Sequence, residues 1–133
     1  MTKPRPPTNS RAALYCTSKE AQNILSRMLT DDGWQVTEFI HEHDFICSHY
    51  AHPFEAVFIF ISGAAGQEAA IRARACSSDC ALIWGSDDHD FARSAYRIHA
   101  TDFLVYPCSK ERLKEAVKRC QPQNGLNRKQ PPD

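Results

Sequence analysis

Short apolar runs alternate along this chain with stretches in which apolar residues return at helical spacing. The run at residues 12–16 (AALYC) predicts a first strand. After it, Ala21, Ile24, Leu25 and Met28 mark one face of a helix that Ser18 can cap and Asp32-Gly33 can end. Residues 34–40 predict a second strand, and the His-rich stretch 42–51 predicts a weaker helix. Residues 56–61 (AVFIFI) carry no polar side chain, so the third strand they predict has to be buried on both faces. There follow a Gly-rich turn over 63–66, an Ala-rich helix over 67–76, a fourth strand over 81–84 (ALIW), a fourth helix over 90–98 and a fifth strand over 103–106 (FLVY). Pro107 stops that strand, Ser109 caps the last helix with Glu111 in its first turn, and Leu113, Ala116, Val117 and Cys120 form its inner stripe. This alternation predicts an α/β domain, a parallel sheet with helices on both faces.

Length and composition narrow that picture. The 133 residues suffice for one domain, which the pattern places at 11–120. Residues 1–10 and 121–133 are rich in Pro, Asn, Gln and charge; the first reads as a disordered tail, the second as a tail or the start of a linker to a further domain. Hydrophobic residues at 42% and charged residues at 24% fit an ordinary folded domain. No apolar run is long enough for a membrane span. Residues 12–120 carry 11 basic and 15 acidic side chains, a net charge of −4, which argues against this domain gripping nucleic acid directly. The six cysteines (Cys16, Cys47, Cys76, Cys80, Cys108, Cys120) are scattered without framework spacing, and no signal segment precedes them, so a reducing cytoplasm is expected.

The segment HDFARSAYRIHATDFLVYP, residues 89–107, resembles the fourth helix and fifth strand of response-regulator receiver domains, closest in style to those of LytTR-type regulators. Ala95, Ala100, Asp102-Phe103-Leu104 and Pro107 carry the resemblance, while His99 stands where the family has Gly, which suggests a different backbone choice at that helix end. The resemblance implies a flavodoxin-like (CheY-like) doubly wound sheet of order 2-1-3-4-5, with its functional crevice outside the carboxyl ends of strands 1, 3, 4 and 5. It also implies a cis Tyr106-Pro107 bond, an isomer that an aromatic residue before Pro favours independently.

Receivers hold magnesium with two acids after strand 1 and with the Asp at the end of strand 3 that takes up phosphate. At the matching positions this chain has Cys16, Thr17 and Ser18 after strand 1, and Phe60 at the phosphoacceptor place with Ser62 two residues on. At the end of strand 4, where the family's hydroxyl binds the phosphoryl group, stand Gly85 and then Ser86. Tyr106 replaces the lysine before Pro107. Four parts of one mechanism are absent together, and shifting strand 3 by a residue finds no Asp. The expectation is a degenerate pseudo-receiver with no catalytic residues, no metal and no cofactor. Its crevice, with Cys16, Phe60, Trp84 and Tyr106 converging, is either a packed plug or a small apolar pocket.

Other features have everyday readings beside chemical ones. His41, His43, Cys47, His49 and His52 cluster, with His43 and Cys47 at i, i+4, but the spacing fits no established zinc motif. Cys76 and Cys80 read as free thiols, and Cys108 lies near the crevice mouth with only Lys110 as an adjacent cation. His89, Arg93, Arg97, Asp102, Arg112, Glu115 and Lys118 spread both charge signs over the fourth helix, fifth strand and fifth helix, a solvated face or a contact face for a protein partner or a homodimer. Three functions compete. The first is a phosphorylation-independent signalling and interaction module in two-component transduction, with transcriptional output if an effector domain follows. The second is a small-molecule or redox sensor using the vacated crevice. The third, an enzyme of another flavodoxin-like family, lacks a phosphate loop, a nucleophile elbow and a His-acid pair.

Overall fold

In the computed structural model, which describes residues 10–121, five strands form one parallel sheet of order β2-β1-β3-β4-β5. They are β1 (Arg11–Cys16), β2 (Gln35–Phe39), β3 (Ala56–Phe60), β4 (Ala81–Ser86) and β5 (Asp102–Val105). The helices between and after them are α1 (Lys19–Asp31), α2 (Glu42–Ala51), α3 (Gly63–Cys76), α4 (Ala92–Arg97) and α5 (Lys110–Arg119). The doubly wound sheet and its order are those expected from the sequence.

The alternation of side chains along each strand divides the core into two layers. Ala12, Leu14, Cys16, Phe58, Phe60, Ile83 and Leu104 pack under α1 and α5, meeting Ala21, Leu25 and Leu29 of the first and Leu113, Ala116 and Val117 of the second. Ala13, Tyr15, Val57, Ile59, Leu82 and Trp84 face the other way, against Phe45 of α2, Ala69, Ala70 and Ala73 of α3, and Ala95 of α4. β3 is buried along its whole length, as an all-apolar strand in the middle of a covered sheet must be.

Local chemistry sets the helix ends. The Ser18 hydroxyl accepts the Ala21 amide at 3.3 Å and starts α1; the Ser109 hydroxyl accepts the Arg112 amide at 3.1 Å and starts α5. The expected turn at 63–66 is the first turn of α3 instead. Gly66 there lies so close to the Ile61 carbonyl that a Cβ would fall 1.8 Å from its oxygen, so the glycine serves a close approach of helix to strand end. The fourth helix is shorter than expected, because His89–Phe91 form a 3-10 turn ahead of it. His99 does not make a different backbone choice. It holds φ at +57°, the left-handed conformation that a glycine at a helix end adopts readily and a histidine tolerates less well. The Tyr106-Pro107 bond is cis.

Ser10, placed in the amino-terminal tail by its composition, is buried, and its carbonyl accepts the Gln35 amide at 3.0 Å. At the other end the Gln121 amide group hydrogen-bonds to Asp32. The remainder of both tails, residues 1–9 and 122–133, lies outside the described residues.

Candidate functional site

The parallel register brings Cys16 of β1, Phe60 of β3, Gly85 of β4 and Leu104 of β5 into one row at the carboxyl edge of the sheet. The chain leaves this edge through the loops into α1 and α3 and through residues 106–109. These segments surround a cleft of about 210 Å3 lined by Cys16, Thr17, Ser18, Phe60, Ser62, Gly85, Ser86 and Tyr106, with Ala21 and Ile61 completing it. All the crevice residues expected from the sequence therefore meet in one place, save Pro107, which adjoins Tyr106 without lining the cleft, and Trp84.

Trp84 is the correction. It is fully buried on the opposite face of the sheet, tilted against Phe91 at 5.7 Å and edge-on to Phe103 at 5.6 Å. Successive residues of a strand point to opposite faces, so Gly85, not Trp84, shares the crevice side with Phe60.

Phe60 is nearly buried and stands edge-on to the Tyr106 ring, with centroids 5.2 Å apart and planes at 85°. Its ring lies over Gly85 so closely that a Cβ on residue 85 would be 2.4 Å from two of its carbons. Phe60, Gly85 and Tyr106 thus form one packing unit. It fills the floor beside the cleft but not the cleft itself, so the crevice is part plug and part pocket. Its volume falls below the range of about 300–1,000 Å3 usual for pockets that take drug-sized ligands.

The polar groups of the cleft are mostly engaged locally. The Cys16 thiol donates to the Ser18 carbonyl at 3.5 Å, the Gln22 side chain donates to the Cys16 carbonyl at 3.2 Å, and the Ser86 hydroxyl accepts the Asp88 amide at 3.3 Å. The Tyr106 amide donates to the Ser86 carbonyl at 2.8 Å and ties the β5 exit to the end of β4. Burial pushes the Cys16 thiol and the Tyr106 phenol above their ordinary ranges, and it does the same to Cys108 against the weaker opposing pull of Arg112.

A magnesium ion does not fit these residues. The lining offers hydroxyls, one raised thiol and backbone carbonyls but no carboxylate, whereas that ion is held through one or two carboxylates in phosphoryl-transfer sites. The acids nearest in sequence, Glu20 in the first turn of α1 and Asp87 after β4, are exposed and do not line the cleft, although the Glu20 charge helps to raise the Tyr106 phenol, and the next acids stand further off. Asp88 accepts the Asp90 amide at 2.9 Å in the exposed loop after β4, and Glu55 lies at the opposite edge of the sheet, accepting the Arg11 amide at 2.8 Å.

The expected interaction face divides. His89, Arg93, Arg97, Glu115 and Lys118 are exposed and Arg112 is half-buried, but Asp102 is buried and does not offer its charge outward. Both its oxygens accept from the Arg112 guanidinium at 2.9 Å, and Arg119 adds a contact at 3.1 Å, so the pair clamps α5 onto β5. Sequence reasoning missed two apolar members of this face: Tyr96 is 84% exposed and Val105 47%. Tyr96 lies one turn from Arg93 on α4, and i, i+3 neighbours share a face; that spacing was the signal available.

The His-rich helix also divides. The Cys47 sulfur comes within 3.6 Å of the His43 ring on the exposed side of α2, as their spacing suggested. His49, in contrast, is wholly buried. Among the described residues the three-ligand grouping is Asp88, His89 and Asp90, all exposed, and the histidines of α2 form none. The cysteines are free thiols. No helix among the described residues is long and apolar enough to cross a membrane.

No family model matches the chain, and no curated protein does. Solved structures do. The BeF3-activated receiver domain of DrrB superposes with a TM-score of 0.71 at 20% identity, over 84% of this chain and 97% of that one. HP1043, an orphan response regulator of H. pylori, gives 0.71 at 17% identity, over 87% and 95%. An adenylate cyclase structure from Rhodopirellula baltica gives 0.67 at 24% identity, over 84% and 87%. The chain has the CheY-like fold of response-regulator receiver domains.

Proposed function

We propose that this domain is a signalling and interaction module of the receiver type that works without aspartyl phosphorylation. The observation that carries the reading is the row Cys16–Phe60–Gly85 with Tyr106 beside it: the crevice in which receivers bind magnesium and phosphate is here walled by a phenyl ring, a phenol and a thiol. Phe60 has no oxygen to accept a phosphoryl group, no carboxylate lines the cleft, and Tyr106 supplies no cation to neutralise the product. The same absence speaks against an enzyme, and the adenylate cyclase name belongs to that neighbour's own protein. Information would pass by contact of α4, β5 and α5 with a second copy or another protein, in two-component or transcriptional signalling in the cytoplasm. Exposed Tyr96 and Val105 offer that contact apolar surface, and exposed Arg93, Arg97, Glu115 and Lys118 offer it charge of both signs.

Incubation with acetyl phosphate and magnesium, read by intact mass, should add no phosphoryl group, and beryllofluoride should leave amide spectra of the cleft residues unchanged. Magnesium-dependent phosphate incorporation overturns the reading. Sedimentation over a range of concentrations tests the contact face. A self-association that Tyr96→Ser and Val105→Glu abolish supports it, and a monomer that retains no partner contact through this face removes it.

The sensor alternative keeps one supporting observation, the residual cleft of about 210 Å3. Its redox form is opposed by chemistry, because the thiols at the crevice, Cys16 and Cys108, are pushed towards the unreactive protonated form by burial.

A further inference from the structure

We propose that His49 is an acid-sensitive latch holding the end of α2 against α3 and the lead-in to β3, so that proton uptake loosens this corner while the sheet stays intact. The inference is independent of the phosphate-free reading of the crevice, which lies at the other end of the sheet.

His49 is 0% exposed, and its ring stacks between Phe45 (5.9 Å, 13°) and Phe54 (5.9 Å, 22°). Both ring nitrogens have backbone partners. The Phe54 amide can only donate, and it points at Nδ1 from 3.1 Å; the Ala73 carbonyl can only accept, and it lies 3.2 Å from Nε2. These partners select the neutral tautomer with its proton on Nε2. Three segments meet on one imidazole: α2 through the residue itself, α3 through Ala73, and the strand lead-in through Phe54.

A second proton can go only to Nδ1, where it faces the Phe54 N–H. Two donors then oppose each other, and the buried amide loses its partner. The charged surroundings make this worse. Arg11 of β1 and Arg74 of α3 both act on the ring, and both are cations. The Arg11 guanidinium sits 4.2 Å over the Phe54 ring and donates to the carbonyls of His52 and Pro53. Arg74 donates to the carbonyls of Ser77, Cys80, Ile98 and His99. The Cys80 sulfur, 3.9 Å from Nε2, belongs to a thiol that burial keeps protonated. Glu55, the carboxylate of the adjoining segment, is taken up by the Arg11 amide, and the His52 side chain is exposed. Burial above all, aided by these cations and opposed by the Ala73 hydrogen bond, holds His49 below the ordinary imidazole range.

The sign follows. A histidine whose folded value is depressed binds more protons once its surroundings open, so the closed latch is fully stable above about pH 6.5. It weakens as pH falls from there towards the folded value, and opening grows about tenfold per pH unit in that window.

Native-state hydrogen exchange of the intact chain, between about pH 7.5 and 5 and corrected for intrinsic rates, reads this directly. The opening constant of the Phe54 amide should rise about tenfold per unit below pH 6.5, while the Leu14 and Ile83 amides of the central strands keep theirs. In His49→Gln the Phe54 opening should no longer depend on pH. The proposal is overturned if all three amides move together, since the domain is then simply losing global stability in acid. It is equally overturned if the Phe54 amide does not respond, or if its response survives in His49→Gln. Should that variant not fold, nitrogen-15 spectra of the unaltered protein decide: an Nε2–H tautomer titrating with the Phe54 opening supports the latch, and an Nδ1–H tautomer refutes it.

Discussion

Gly85→Ala tests the packing unit at the crevice. The added methyl would stand 2.4 Å from the Phe60 Cδ2 and Cε2 atoms, where carbon atoms prefer about 3.5–4.0 Å. The ring has to retreat by more than an ångström. The Tyr106 ring meets it edge-on at 5.2 Å, and the Phe60 backbone is fixed in a strand paired on both sides. Overpacking of this kind costs about 1–3 kcal/mol. With a urea m-value of about 1–3 kcal/mol/M, a loss in the middle of that range lowers the unfolding midpoint by about 1 M at unchanged m. The cause is specific, so it must couple. In a Phe60→Leu background the obstructing ring carbons are gone, and Gly85→Ala should cost at least about 1 kcal/mol less than in the parent. Urea denaturation followed by circular dichroism on the four proteins of the cycle gives the coupling energy. If the two substitutions add to within about 0.5 kcal/mol, or if Gly85→Ala alone is neutral, Phe60 does not occupy the crevice floor as described.

Restoring one carboxylate should not restore the chemistry: Phe60→Asp is expected to show no phosphate incorporation from acetyl phosphate with magnesium, since the cleft residues Thr17, Ser18 and Tyr106 still supply neither acids nor a cation. Labelling of this single variant would mean that metal ligands exist outside the cleft lining. Removing Arg112 leaves a 7% exposed Asp102 carboxylate with the Phe103 amide and with Arg119 as its remaining cation, so Arg112→Ala should cost about 1–3 kcal/mol by thermal or urea unfolding, with Arg112→Lys recovering only part because the two-pronged contact is lost. Iodoacetamide near neutral pH followed by peptide mapping should modify Cys47 first. It is exposed, whereas Cys16, Cys76, Cys80, Cys108 and Cys120 are buried or half-buried and burial pushes each of those thiols up, slowing them by about tenfold or more.

The central strand was legible unaided, because a parallel strand covered on both sides has to be apolar throughout, as residues 56–61 are; the order of the strands came only from the resemblance carried by residues 89–107. The crevice was legible through the same resemblance, which assigns it to the ends of strands 1, 3, 4 and 5, and Pro107 marks one of those ends in the sequence itself. What escaped depended on parity and on long-range charge. Gly85 has no side chain to betray which face of β4 it occupies, so Trp84 was assigned to the wrong side of the sheet. Asp102 looked like a solvent-facing acid because its partners, Arg112 and Arg119, lie in another element, and only the packing of α5 on β5 brings them to it. For His49 a clue was present: Phe45 stands four residues before it, and i, i+4 neighbours share a helix face. A histidine sharing the apolar face of a helix belongs to the core more readily than to the solvated cluster suggested by its neighbours His41, His43 and His52.

A crevice lined by no carboxylate and no cation constrains how such a domain can carry a signal. A ligand or modification shifts a conformational equilibrium only by as much as its interaction differs between the two states, and a phosphoryl group does this through its charge and its acceptor oxygens. Here Phe60 and Tyr106 hold each other by edge-to-face packing worth about 0.5–1.5 kcal/mol, a contact that neither metal nor phosphate has means to alter. On the proposed reading the crevice therefore acts as a fixed part of the scaffold, and two kinds of control remain. One is mass action: a face with exposed Tyr96 and Val105 associates according to the concentration of its partner, so expression level alone sets occupancy. The other is a titratable group whose charge state is bound to its packing, and His49, at the end of the sheet away from the crevice, satisfies that requirement with both ring nitrogens committed to backbone partners. The two make opposite demands of an experiment. Control by occupancy predicts that association depends on protein concentration and little on pH between about 7.5 and 5, whereas control through His49 predicts that acid changes association only where α2 or α3 communicates with the contact face. Arg74 offers one such link, since its guanidinium spans from the end of α3 to the carbonyls of Ile98 and His99 at the end of α4. Because Arg74 also acts on the His49 ring, sedimentation of Arg74→Ala at the two ends of that pH range is read beside hydrogen exchange: an acid effect on association that vanishes in the variant while the acid opening of the Phe54 amide persists traces the path from the latch to the face.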